Sequence, residues 1–241
     1  PNIAGVYVQR YHFLPFRFAE NFLVLFFLRL AGYGKIYVHY SYLSGFNAGL
    51  VTRLCTGTSY YWNCGMPWLF GEDSFLRTVL SFVHVFVTGT AGMAKMYAEA
   101  YRISEKKIKI IPNWISVSEF GRGFPEEEKL SMRRKLAVPN DSKVVLFVHR
   151  LSKRKGALML PSIITMLADK HIVAVIIGDG PDREALESNF SEMNLSDRVR
   201  MLGSVPNAEL PLYYAISDLF IMPSEEEGFP HVLLEAMTQG V

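Results

Sequence analysis

The chain of 241 residues contains only two cysteines, Cys55 and Cys64. They form neither a metal-ligand pattern nor a disulfide framework. So few thiols point to a reducing, cytoplasmic compartment. Net charge is also nearly absent, at +2, which argues against a nucleic-acid partner. No apolar run approaches the ~20 residues that span a bilayer. The longest, Phe22 to Leu28, stops at Arg29. No secretory signal is visible, and a chain that begins at Pro1 is expected to lack its true start. No Asp-x-Asp pair offers itself to a divalent metal. The turn Gly178-Asp179-Gly180-Pro181 has Arg183 where a dinucleotide fingerprint needs its third glycine, which weakens an NAD-dependent oxidoreductase reading.

What is present is apolar and aromatic: 50% of residues are hydrophobic and 13% are Phe, Trp or Tyr. That suffices for one large core or two small ones. Residues 1–70 set five basic side chains, Arg10, Arg17, Arg29, Lys35 and Arg53, against Glu20 alone. Such a basic, aromatic third suits a core with ordinary surface charge, or a face toward an anionic membrane or a lipid-linked substrate.

Strand and helix patterns alternate. Strand-like runs are Ile3–Val8, Lys35–Tyr40, Thr58–Trp62, His84–Thr88 and Ile108–Ile111 in the first half. In the second they are Lys143–Val148, Val173–Ile177, Arg198–Leu202 and Asp218–Met222, the last read as buried. Helical patterns lie between them, near Phe18–Ala31, Gly45–Cys55, Asp73–Phe82 and Ala91–Tyr101, and from Gly156 to about Asp169. This order predicts an α/β fold with parallel, doubly wound sheets. Residues 121–140, with Gly121, Gly123, Pro125 and a charged helix, read as a linker between domains at 1–120 and 141–241.

One segment carries most of the chemistry: Met222-Pro223-Ser224-Glu225-Glu226-Glu227-Gly228-Phe229-Pro230, then Val232-Leu233-Leu234-Glu235-Ala236-Met237. It reads as strand, acidic loop, helix, with Pro230 in the first helical turn and Gly240 at the end. Ligands of open α/β sheets bind at such places, beyond the carboxyl ends of the strands. The amides of Gly228 and Phe229 would point from the helix N-terminus toward an anion. Glu227 and Glu235 stand roughly 10–12 Å apart at ~1.5 Å rise per residue. A retaining glycosidase pair needs ~5 Å and an inverting pair ~6.5–9.5 Å. They are therefore two separate acceptors for hydroxyls at the two ends of a long ligand, or else a solvated acidic turn and one exposed helix glutamate.

Upstream, a buried strand delivers His149-Arg150-Leu151-Ser152-Lys153-Arg154-Lys155-Gly156 to a loop. These cations form a solvated basic turn, or else a site for a leaving diphosphate, whose negative charge grows as its bond breaks. Arg chelates phosphate oxygens with two parallel bonds and Lys acts as a point charge.

Together, Pro223-Ser224, Glu227-Gly228-Phe229-Pro230 and Val232 to Met237 resemble the donor-site signature of retaining glycosyltransferase family 4, which has the GT-B fold. The resemblance covers about 36–241, strongly from 143. In the first half it rests on Val85 to Thr90 and on Ile110-Ile111-Pro112-Asn113, where Trp114 stands in place of the family's glycine. It implies two Rossmann-like domains facing a cleft, both incomplete. It implies that Glu227 holds the transferred sugar, Glu235 the ribose, and Arg150 and Lys155 the diphosphate. Gly178 and Gly180 would lie near the nucleotide, and Val205 to Tyr214 near its base. His149 replaces the usual glycine and is expected to crowd the phosphate loop.

The family's cleft histidine has no equivalent after Thr58–Trp62, where Asn63, Cys64 and Gly65 stand instead. Asn63 offers an amide to a sugar hydroxyl. His39 and His84 lie on apolar strands and read as core histidines. The activity implied is transfer of a hexose from a UDP-, GDP- or ADP-sugar to a glycan or lipid-linked acceptor hydroxyl, with retention and without a cofactor or divalent metal. A non-catalytic, sugar-nucleotide-binding partner subunit is the alternative. The few cysteines and the basic, aromatic first third suggest a cytoplasmic place, peripheral at the inner membrane face.

Overall fold

The computed structural model describes residues 9–10, 13–66, 74–167 and 171–241. The strand expected at Ile3–Val8 lies outside them. The chain divides into two compact units, Pro1–Pro112 and Asn113–Val241. Each is a parallel four-stranded sheet with helices.

In the first unit the order is α1 (Leu14–Leu30), β1 (Lys35–His39), α2 (Tyr42–Leu54), β2 (Thr58–Trp62), α3 (Ser74–Phe82), β3 (Val85–Thr88), α4 (Ala91–Tyr101) and β4 (Ile108–Ile110). The strands lie side by side in chain order. Helix α1 starts a turn before its apolar run because Pro15, whose ring presets the helical φ, sits in its first turn. Ser41 and Thr90 cap α2 and α4 by accepting the N–H of Ser44 and Met93. Val38, Tyr61 and Phe86 come from three adjacent strands and are buried against Leu76, Val79, Leu80 and Tyr97 of the helices.

Neither strand histidine of this unit is a core residue. His39 ends β1 on its exposed side, because alternate residues of the strand are buried. His84 falls one residue before β3 and is exposed, with its Nδ1 taking the Ser59 N–H at 3.3 Å. Burial, with Arg53 and Lys107 nearby, lowers the pKa of His84.

The second unit runs α5 (Val117–Phe120), α6 (Glu126–Lys135), β5 (Lys143–Val148), α7 (Leu160–Met166), β6 (Ile172–Ile177), α8 (Arg183–Glu192), β7 (Val199–Gly203), α9 (Leu210–Ala215), β8 (Leu219–Phe220) and α10 (His231–Gln239). Its sheet order is β7-β6-β5-β8, all parallel. Strands β5 and β6 are buried on both faces, which is why they read as continuous apolar runs. Val144, Leu146 and Val148 face one core with Tyr214 and Ala236; Phe147 faces the other with Leu160, Ile164 and Leu186. The segment 121–140 is part of this unit: α6 buries Met132, and Leu136 and Val138 follow it into the same core. Three acidic residues open α6 and three basic ones close it, matching the helix dipole.

The strand expected to be buried from Asp218 to Met222 is shorter and less covered. Only Leu219 and Phe220 pair, and Leu219 is 47% exposed. The cause is position: among the described residues β8 lies at the edge of the sheet and pairs with β5 alone. Asp218 anchors its start, accepting from the Val144 N–H at 2.8 Å and from Lys143 Nζ at 2.7 Å. These contacts with Lys143 and Val144 outweigh burial and lower its pKa.

Candidate active site

The loops that follow β5, β6 and β8 form one cluster at the carboxyl end of the second sheet. Backbone bonds join the first two: Ile177 takes the His149 N–H, Asp179 takes that of Leu151, and Leu151 takes that of Asp182. The glycine at 178 is required by geometry. Its φ is +134°, and a Cβ there would fall on the carbonyl oxygen of His149. Gly178 and Gly180 thus bring the β6 turn against the β5 loop.

The β5 loop is pinned to the acidic loop in turn. Gly156 adopts φ +68°, and a Cβ on it would meet the Pro223 carbonyl oxygen. The Glu225 N–H donates to the Arg154 carbonyl at 3.1 Å, and Arg154 pairs with Glu226. Beside them Lys155 Nζ stands 2.8 Å from Glu227 Oε1, and His149 Nε2 stands 3.2 Å from the same oxygen. Arg150 is exposed on the same loop, and no ion pair holds it among the described residues.

Burial alone would raise the Glu227 carboxyl, but the bonds from His149 and Lys155 outweigh it and bring the pKa to about 2. A carboxyl lowered in the folded state stabilises the fold above its ordinary value and loses that contribution as pH falls. Glu227 therefore stabilises the unit above about pH 4.5 and ceases to do so between there and about pH 2. In urea titrations from pH 6 to pH 2, Glu227→Gln is expected to flatten this part of the stability curve. A parallel curve for the variant would show that Glu227 is not held this way.

Glu235 is not the exposed helix glutamate of the simpler reading. It is 7% exposed, and its Oε2 accepts the Tyr214 hydroxyl at 2.8 Å. Its pKa is raised, because burial exceeds the opposing effects of Tyr214 and His231. The sign is the reverse of that for Glu227: its contribution is present at low pH and lost as pH rises. Tyr214 was not singled out from the sequence. The only available signal was an aromatic residue in a short segment already placed near the nucleotide base.

Pro230 is the N-cap of α10 rather than a first-turn residue. The first-turn amides of His231, Val232 and Leu233 have no partner within the helix and open at the same end. The Phe229 carbonyl accepts from Asn113 Nδ2 at 2.7 Å, which ties the bend before α10 to the start of the unit. The structure thus gathers His149, Lys155 and Glu227 at one oxygen, with Gly178 and Gly180 behind them. Glu235 is anchored separately on Tyr214. Asn63 belongs to the first unit. It is 3% exposed, its Oδ1 takes the Gly65 N–H at 2.8 Å, and its Nδ2 reaches the Tyr61 hydroxyl at 3.3 Å.

Residues 128–241 match the model of the family described as glycosyl transferases group 1. This segment belongs to that family. Among its relatives, an uncharacterised glycosyltransferase of Methanocaldococcus jannaschii is 29% identical, over 71% of this chain and 46% of its own length. The alpha-monoglucosyldiacylglycerol synthase of Acholeplasma laidlawii is 31% identical, over 57% of this chain and 36% of its own. The chain spans less than half the length of these two relatives. Of solved structures, that of Anabaena HepE in complex with UDP superposes with a TM-score of 0.80 at 18% identity. It covers 92% of this chain, which covers 61% of it. The α/β fold of the chain is the GT-B fold.

Proposed function

We propose that the second unit binds a nucleotide diphosphate sugar at the β5, β6 and β8 loops, and that the protein transfers its hexose to an acceptor hydroxyl with retention. One observation carries the reading: a basic loop and an acidic loop interlock so that His149 and Lys155 hold Glu227 ionised at the carboxyl end of the sheet. Glu227 accepts hydroxyls of the sugar. Arg150 and Lys155 neutralise the departing diphosphate, so no divalent metal is required. The Gly228–Pro230 bend leads the donor to the N-terminus of α10, and Glu235, fixed by Tyr214, takes the ribose.

The mechanism follows from charge. As the anomeric bond breaks, negative charge collects on the leaving phosphate and positive charge on the sugar ring. Arg150, Lys155 and the amides at the start of α10 stabilise the first. The acceptor hydroxyl enters on the face the phosphate leaves and surrenders its proton to it, so the configuration is kept. The test is nucleotide release from UDP-, GDP- and ADP-sugars, with and without EDTA. Release from one donor, unaffected by EDTA, is expected. Binding without release would favour the partner-subunit reading.

The acceptor is proposed to be a glycan or a lipid-linked saccharide at a membrane surface. The support is α1, which turns Leu23, Phe27 and Leu30 outward at 49%, 62% and 63% exposure, with Arg17 exposed on the same helix. Arg29 is occupied, donating to the Thr56 carbonyl and hydroxyl. Among the described residues no helix is long and apolar enough to cross a membrane. The exposed face suits lying on one. Replacing Leu23 and Phe27 together by serine is expected to weaken binding to vesicles containing anionic lipid by at least about tenfold, since each buried side chain contributes about 1.5–3 kcal/mol. Unchanged co-sedimentation would remove this support.

A further inference from the structure

The His149 ring touches both halves of the proposed donor site. Its backbone is fixed at the end of β5, with its N–H on the Ile177 carbonyl. Its Nδ1 lies 2.8 Å from the backbone N of Arg150. That amide can only donate, so Nδ1 must accept and carries no proton. A neutral ring then holds its proton on Nε2, the nitrogen 3.2 Å from Glu227 Oε1. One imidazole thus takes a hydrogen bond from the loop that presents Arg150 and gives one to the carboxylate that Lys155 also holds. Both His149 and Glu227 side chains are about one-fifth exposed, so the bridge is partly screened from water.

We propose that His149 is a positioning residue of the donor site: its Nε2–H tautomer, set by the Arg150 amide, aims Glu227 at the sugar and couples that carboxylate to the diphosphate loop. The inference rests on the donor-site reading above. It has a physical consequence that Lys155 cannot supply. An ammonium is a point charge with three rotatable donors and leaves the carboxylate free to swing around it. A planar ring tethered through Nδ1 restricts where the carboxylate oxygen can sit. A protonated ring would have to break one bridge, because both of its nitrogens donate and the Arg150 amide would lose its acceptor. Among the described residues the ring shares Glu227 Oε1 with Lys155, and the Arg150 backbone N–H meets its other nitrogen.

The experiment has two parts. In the first, long-range 15N–1H spectra of the wild-type protein near neutral pH report which ring nitrogen carries the proton. The Nε2–H form is expected, with Nδ1 unprotonated. The Nδ1–H form would overturn the inference. In the second, the wild type, His149→Ala and His149→Gln are titrated with UDP, GDP and ADP and with the matching glucose nucleotides. Alanine is expected to remove at least about tenfold of the affinity that the sugar adds to the nucleotide. Glutamine, whose side-chain amide can again donate to Glu227, is expected to restore most of it. If the wild type binds and alanine leaves the sugar's increment unchanged, the inference fails while the donor site stands. If the wild type binds none of these ligands, the donor-site reading fails and takes the inference with it. A loss caused only by general loosening of the fold would not be recovered by glutamine.

Discussion

Replacing Lys155 by methionine is expected to lower turnover by roughly 10²–10³, the usual effect of removing one group that stabilises charge in the transition state. The change keeps the length and most of the apolar volume of the side chain while deleting the ammonium. Two consequences separate electrostatics from packing. Glu227 loses one of the partners that hold its carboxyl near 2, so its pKa should rise toward the ordinary value. Binding of the free nucleotide diphosphate should weaken as well, because the diphosphate loses a fixed cation. Arginine at this position should recover part of the rate, since it restores charge in a different geometry. The measurements are kcat, nucleotide affinity and the pH dependence of folding. Turnover close to wild type in Lys155→Met would show that the ammonium serves only the ion pair.

The second large effect is expected at Gly156. Alanine there meets two obstacles together. The backbone is left-handed, which costs a residue with a Cβ roughly 1–2 kcal/mol. The new methyl would also occupy the place of the Pro223 carbonyl oxygen, which is backbone and cannot rotate away. The β5 loop and the acidic loop would have to part, breaking the Glu225–Arg154 backbone bond and drawing Lys155 from Glu227. A loss above about 2 kcal/mol is therefore expected, seen as an earlier denaturant midpoint with an unchanged slope. Turnover of the remaining folded protein should fall too. Gly123→Ala is the control: nothing lies within 4 Å of a Cβ placed there. It should change stability by no more than about 0.5 kcal/mol. Equal midpoints for the two variants would mean that the loops are not interlocked at Gly156.

The class of fold was legible in the residues. Fully buried parallel strands need unbroken apolar runs, and Lys143–Val148 and Ile172–Ile177 carry them. The residues proposed for the donor site were legible as candidates because strand, acidic loop and helix follow one another within a few residues. The family match over 128–241 concerns the same stretch.

Several features were not legible because they depend on which segments are neighbours in space. The stretch from Asp218 to Met222 looks as apolar as a central strand, yet β8 sits at the sheet edge and exposes Leu219. His39 and His84 sit beside apolar residues in the chain, but strand alternation and a one-residue offset put both outside. Asn63 is polar in a loop, but a buried turn absorbs its amide. Tyr214 meets Glu235 across 21 positions, and Lys155 meets Glu227 across 72. The sequence by itself determined the alternating α/β elements and the residue types of the basic and acidic loops, since these follow from local periodicity and residue type. Only the tertiary structure decided that His149 and Lys155 converge on one carboxylate oxygen, and that Glu235 is buried on a tyrosine. Packing sets such pairings between distant segments, and it allows them only where Gly156 and Gly178 let two backbones approach more closely than any side chain permits.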